Sequence, residues 1–139
     1  MAEVGEGRDM SGESAYELLQ EARDLLERRR PEKAVLLLEK AKAMEPHRGS
    51  ILEALGVAYY NSGRPAKART QFEEALEVDP TNHFARFGLG RCLHRAGLLQ
   101  MAIGQMKLAV AMAPDNAVYG ETLHRLEREL GKGKEGGRR

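Results

Sequence analysis

Apolar residues recur at helical spacing from Ser14 to Leu130, and no β-branched or aromatic run alternates with polar residues as a half-buried strand requires. The chain is therefore predicted to be all-α. Laid over itself, the pattern returns every 34 residues: Ala34, Ala68 and Ala102 share one column, Ala41, Ala75 and Ala109 a second, Pro46, Pro80 and Pro114 a third. Leu38/Phe72/Met106, Ala22/Gly56/Gly90 and Leu25/Tyr59/Leu93 supply three more, all in phase and without a gap. A fixed period of this length marks an array of stacked units, each too small to bury its own apolar face.

Each column has a mechanical reading. Ala22, Gly56 and Gly90 lie midway along the first helix of each unit, where a small side chain lets a second helix approach. Ala34, Ala68 and Ala102 are the small residues facing them, and Leu38, Phe72 and Met106 fill the space alongside. The three prolines end the second helices, because proline disfavours helical backbone in the residue before it. Asn61-Ser62-Gly63 and Ala96-Gly97 read as the intervening turns, with glycine supplying a positive φ. Pro31 and Pro65 suit a first helical turn, where a missing N–H costs nothing. Ser14 and Glu17 form a capping box that opens the first helix.

These columns resemble the tetratricopeptide repeat (TPR) over residues 15–116, in units 15–48, 49–82 and 83–116. The second unit carries Leu52, Leu55, Gly56, Tyr59, Ala68, Phe72, Ala75 and Pro80 at the family's signature positions. The first departs at Leu18 and Glu21 and has Arg29 in place of the turn glycine; the third has Arg86 at the first large position. The resemblance implies a solenoid, a short right-handed superhelix of three helix–turn–helix repeats. Residues 117–130 begin a fourth copy that is not completed: Tyr119, Leu123, Leu126 and Leu130 form one apolar stripe, while His124 and Glu127 stand where a second helix would have packed. This segment is expected to be a capping helix covering the third repeat, with Asp115 as its N-cap. The domain then spans 14–130, between a disordered acidic tail (1–13) and a disordered basic tail (131–139), both Gly-rich and polar.

Composition narrows the function. The 139 residues are 42% hydrophobic and 31% charged, with 22 Lys+Arg against 21 Asp+Glu and a net charge of +1. That balance argues against a dedicated nucleic-acid binder. No apolar run approaches the length of a membrane span, so no membrane insertion is expected, and the N-terminus shows no secretory signal. The single cysteine, Cys92, has no internal disulfide partner, which points to a reducing, cytoplasmic setting.

Catalytic readings fail residue by residue. His47, His83, His94 and His124 occupy four different repeat positions, with no metal-ligand spacing. Cys92 and His94 point about 200° apart on a helix, so they cannot form a nucleophile–base pair, and Cys92 occupies a packed position. Gly88-Leu89-Gly90 and Gly131-Lys132-Gly133-Lys134 follow no strand and are not phosphate loops. The expectation is a non-enzyme without cofactor or metal.

In the family that the columns resemble, first helices line a concave groove where ligands lie. Carried over position by position, the candidate peptide-binding residues are Tyr16, Arg23, Tyr60, Phe84, Phe87, Arg91, Arg95 and Arg125. Rings and guanidinium groups bury much area with few rotors, as interface anchors do. They suit an extended or helical peptide of another protein, acidic or ending in a carboxylate. The competing reading has Phe84 and Phe87 packing between repeats and the arginines paired with Glu53 and Glu121. The carboxylate clamp by which some relatives hold chaperone tails is disfavoured, because its positions here are Leu19, Arg23, Ala54, Phe84 and Gly88. The resulting expectation is a protein-interaction scaffold. The alternative is a homo-oligomer or complex subunit, docking through the open face of the first helix near Leu18 and Leu25.

Overall fold

The computed structural model describes residues 12–137, with side chains through Gly133. The tail expectations for residues 1–11 and 138–139 lie outside the described residues. Within them are seven helices and no strand: α1 (Ala15–Glu27), α2 (Pro31–Met44), α3 (Gly49–Asn61), α4 (Pro65–Val78), α5 (His83–Arg95), α6 (Leu99–Met112) and α7 (Ala117–Gly137). First helices are 13 residues long and second helices 14, in all three repeats. Each helix packs on its successor, and α1 also meets α3, as α3 meets α5. The first helices thereby form one wall of an open solenoid.

The turns inside the repeats share one geometry. The N–H groups of Arg30, Arg64 and Leu98 donate to the carbonyls of Leu25, Tyr59 and Leu93 at 2.8, 2.8 and 2.9 Å. This is the bond that closes a Schellman turn, and it requires a left-handed residue just before the donor. Gly63 (φ 81°) and Gly97 (φ 80°) supply it at no steric cost, whereas Arg29 is forced to φ 60°. Pro31 and Pro65 open α2 and α4, and the capping box at α1 is reciprocal, with both Ser14–Glu17 bonds at 3.1 Å.

The small-against-large columns meet as the period demands. Leu38, Phe72 and Met106 are all buried, as are Ala34, Ala68 and Ala102. A methyl group at Gly56 would lie 2.6 Å from the Phe72 ring, and one at Gly90 would lie 2.8 Å from Met106 Cε. Polar bonds then fix the repeats to one another. Lys42 Nζ donates to Gln71 Oε1 (2.9 Å) and Glu74 Oε2 (2.8 Å), and the Tyr59 hydroxyl donates to Glu39. Arg86, at a position that favours a large apolar residue, reaches Gln105 Oε1 and the Pro80 carbonyl, both at 3.3 Å.

Three expectations are corrected. The N-cap of α7 is Asn116, whose Oδ1 accepts from the Tyr119 N–H at 3.2 Å; Asp115 lies one residue too early. Asn82, 34 residues before it, caps α5 in the same way, with Oδ1 accepting from Ala85 N–H at 3.0 Å. Helix α7 continues past residue 130 to Gly137, despite glycines at 131, 133, 136 and 137 that each disfavour helix. The open face of α1 exposes little apolar surface beyond Tyr16. Leu18 is fully buried and Leu25 half-buried, and the outward positions are Gln20, Glu21, Asp24 and Arg28. Tyr119 and Leu126 of α7 are buried, Leu123 and Leu130 half-buried, and His124 and Glu127 exposed, so the last helix turns its apolar stripe inward.

Candidate functional site

Helices α3 and α5 run side by side, and between them lies a hollow of ≈ 190 Å³ lined by Val57, Tyr60, Asn61, Phe72, Phe84, Phe87, Gly88 and Arg91. Val57, Tyr60 and Asn61 come from the last turns of α3. Phe84, Phe87, Gly88 and Arg91 come from one face of α5, at the i, i+3, i+4, i+7 spacing that keeps side chains aligned. Phe72 reaches the floor of the hollow from α4, since residue 88 has no side chain; a methyl there would sit 2.5 Å from the ring.

The rings are locked. Phe84 meets Phe72 edge-on (6.2 Å between centroids), and Phe87 stacks on Tyr119 of α7 (4.8 Å, 26° between planes). Tyr119 is held in turn by His83, whose Nδ1 lies 2.8 Å from the hydroxyl. Arg91 lies over the Tyr60 ring at 4.5 Å and the Phe87 ring at 5.9 Å, while Arg95 reaches Tyr60 from the next turn at 5.1 Å. Each such contact contributes about 0.5–1 kcal/mol at an exposed site and limits the guanidinium's rotation. Among the described residues, Arg23, Arg91, Arg95 and Arg125 form no ion pair with a carboxylate. Glu53 instead accepts from Asn82 Nδ2 at 2.8 Å, so the competing reading's pairing of arginines with Glu53 is not made.

A second hollow, of ≈ 210 Å³, lies one repeat earlier between α1 and α3, lined by Arg23, Leu26, Ser50, Glu53, Ala54, Val57 and Phe84. Most of its lining residues sit 34 positions before those of the first hollow: Arg23 for Val57, Leu26 for Tyr60, Ser50 for Phe84, Glu53 for Phe87, Ala54 for Gly88 and Val57 for Arg91. The two share geometry but not chemistry, since Phe84 and Phe87 of one correspond to Ser50 and Glu53 in the other.

Of the residues expected at the site, Tyr60, Phe84, Phe87 and Arg91 converge on one hollow, and Arg95 joins them through Tyr60. Arg23 lines the second hollow. Arg125 sits apart on α7 with Arg128, Glu129 and Lys132, and Tyr16 stands 67% exposed at the start of α1. Tyr16 occupies the same repeat position as Phe84, but no helix precedes α1 among the described residues to complete a hollow. Phe72 is the contributor that sequence reasoning assigned to packing alone. The signal was Gly88, a glycine aligned with Gln20 and Ala54.

Cys92 lies behind this wall, 2% exposed, and burial pushes its thiol up to about 11 against the lowering effect of Arg91. It therefore lacks the thiolate character of a nucleophile. Among the described residues no three His, Cys, Asp or Glu side chains gather as metal ligands, and no helix is long and apolar enough to cross a membrane.

Comparison with known proteins agrees with this architecture. No curated protein sequence matches the chain. Many solved structures share its fold, among them three at low identity. The Sgt2 TPR domain from Aspergillus fumigatus is 20% identical (TM-score 0.84; 94% of this chain, 86% of that one). The first TPR of Spaghetti (RPAP3), bound to an HSP90 peptide, is 15% identical (TM-score 0.80; 84% and 95%). The Yersinia enterocolitica type III secretion chaperone SycD, in complex with a peptide of the translocator YopD, is 18% identical (TM-score 0.72; 86% and 91%). The family profile described as Tetratricopeptide repeat matches residues 19–83 and again 54–117, in register with the internal period. With seven helices stacked as a solenoid and that profile spanning more than half its length, the chain belongs to the tetratricopeptide repeat family.

Proposed function

We propose that this protein is a non-catalytic interaction module that holds a peptide segment of a partner protein in the groove lined by its first helices. The observation that carries the reading is Arg91: a guanidinium without a carboxylate among the described residues, laid on Tyr60 and Phe87 at the rim of an aromatic hollow. Such a group is oriented before a ligand arrives, so binding sacrifices little side-chain freedom. Two of the structural relatives hold peptides, of HSP90 and of YopD respectively. A chaperone-tail ligand of the clamp type does not fit here. Leu19, Ala54 and Gly88 are buried and apolar where that clamp needs polar side chains. The single buried thiol favours a reducing, cytoplasmic setting.

The direct test pairs Phe87→Ala with Arg91→Ala and reads partner capture beside far-ultraviolet circular dichroism. Capture lost at unchanged helicity is the expected result; capture retained would place the binding surface elsewhere.

A second reading, self-association, is favoured by the outer face of α6 and its N-cap Leu98. Leu98, Met101 and Leu108 are 40–51% exposed there, at positions that carry Arg30 and Arg64, Lys33 and Lys67, and Lys40 and Glu74 in the earlier repeats. Sedimentation across a concentration series distinguishes the two, since a pure adaptor stays monomeric throughout.

A further inference from the structure

Resting on the groove reading, we infer the class of peptide: an extended segment carrying a large apolar side chain and, three residues further towards α7, a carboxylate.

The hollows repeat with the 34-residue period, so the groove offers equivalent positions one helix spacing apart, about 8–10 Å between packed axes. A polyproline-type strand advances about 9 Å every three residues and returns its side chain to the same face. A fully extended strand returns to the same face after two residues and only about 7 Å, out of step with the wall. A helix matches the spacing at i, i+7, but its i+3 and i+4 side chains share that face. They would land on the ridge of Val57 and Phe84, which walls both hollows. The two intervening residues of the extended form point away from such a ridge.

Charge sets the order along the groove. The hollow between α3 and α5 takes the apolar side chain, because Phe72, Phe84, Phe87 and Tyr60 enclose it. On the α1 side the next position sets Glu53 against a single guanidinium, Arg23, so an acid gains little net attraction there. On the α7 side the 34-residue offset aligns Arg125 with Arg91, with Arg95 and Arg128 one turn on from each, against Glu121. Glu129, the other carboxylate there, is bridged to His94 at 2.9 Å. Arg91 thus touches both ligand groups, its face covering the apolar side chain and its N–H groups meeting the carboxylate.

The test is selection of random displayed decapeptides on the full-length chain, followed by anisotropy with the enriched sequence. Enrichment of an apolar residue three positions from Asp or Glu is expected, with about tenfold weaker binding to Arg91→Ala, the cost of one charge-assisted hydrogen bond. Selection on the Arg91→Glu, Arg125→Glu variant should replace the acid by Lys or Arg at the same spacing. Enriched peptides with another spacing, or without an acid, would overturn this inference while leaving groove binding intact. The same motif binding equally to Arg91→Ala would overturn it as well. No enrichment over the Phe87→Ala, Arg91→Ala variant would overturn the groove reading itself.

Discussion

Phe72 is clamped between two glycines, and adding one methyl group to either tests the packing that builds both the stack and the hollow. An alanine Cβ at position 56 would lie 2.6, 2.7 and 2.9 Å from three ring carbons; one at position 88 would lie 2.5, 2.5 and 2.7 Å from the same ring. Carbon atoms pack at about 3.5–4.0 Å, so the ring must move by about 1 Å. It cannot retreat from one glycine without striking the other. Overpacking of this kind costs about 3 kcal/mol, the upper end of the usual range, because neither side yields. Alanine's better helix propensity returns about 1 kcal/mol. The net expectation for Gly56→Ala is a loss of about 2 kcal/mol, roughly 8 °C in Tm for a domain of this size. Gly104→Ala is the control. It is exposed within α6 with nothing within 4 Å of its added methyl, and should gain about 1 kcal/mol from propensity alone. Urea unfolding followed at 222 nm measures all three chains, and in a Phe72→Leu background the cost of Gly56→Ala should shrink by about 1 kcal/mol or more. If Gly56→Ala stabilises as much as Gly104→Ala, the clamp does not exist and the small-against-large account of the columns fails.

Three further outcomes are expected. Arg29→Gly relieves a left-handed backbone that costs a side-chain-bearing residue about 1–2 kcal/mol, partly offset by glycine's freedom when unfolded, so the urea midpoint should rise by about 0.5–1 kcal/mol in stability; a fall would contradict the shared turn geometry. Asn116→Ala should lower stability by about 1 kcal/mol and increase amide exchange in the first turn of α7, with Asp115→Ala close to neutral; the reverse order would restore Asp115 as the cap. Cys92 should resist alkylation at pH 8 in the folded chain and react quickly in urea. Because burial raises its thiol from 9.0 to about 11, the unfolded chain loses the proton first, and the stability linked to this group should fall as pH rises from about 9 to about 11. A Cys92→Ala chain should lose the part of that fall below about pH 10, above which the Tyr59 and Tyr119 hydroxyls, also raised by burial, add their own decline.

The period made most of the fold legible, because a small residue, a large residue and a proline at fixed offsets admit one packing of two helices. Asn116 was missed because its neighbour Asp115 caps equally well as an isolated residue; the 34-residue offset from Asn82 decides between them. For the groove, column positions identified which side chains face inward but not which have a facing helix. Tyr16 and Phe84 share a column, yet only Phe84 has α3 beside it. The floor was harder to read. Phe72 arrives from a second helix, through the gap left by Gly88, and a one-dimensional pattern records both residues without recording that they touch.

The most direct measurement of the central claim is an amide chemical-shift titration of the labelled full-length chain with the selected peptide. The largest shifts are expected on Tyr60, Phe84, Phe87, Gly88 and Arg91, fading towards α2 and the outer face of α6. Shifts concentrated on Leu98, Met101 and Leu108 instead would contradict it, and would make the convex surface the one that binds.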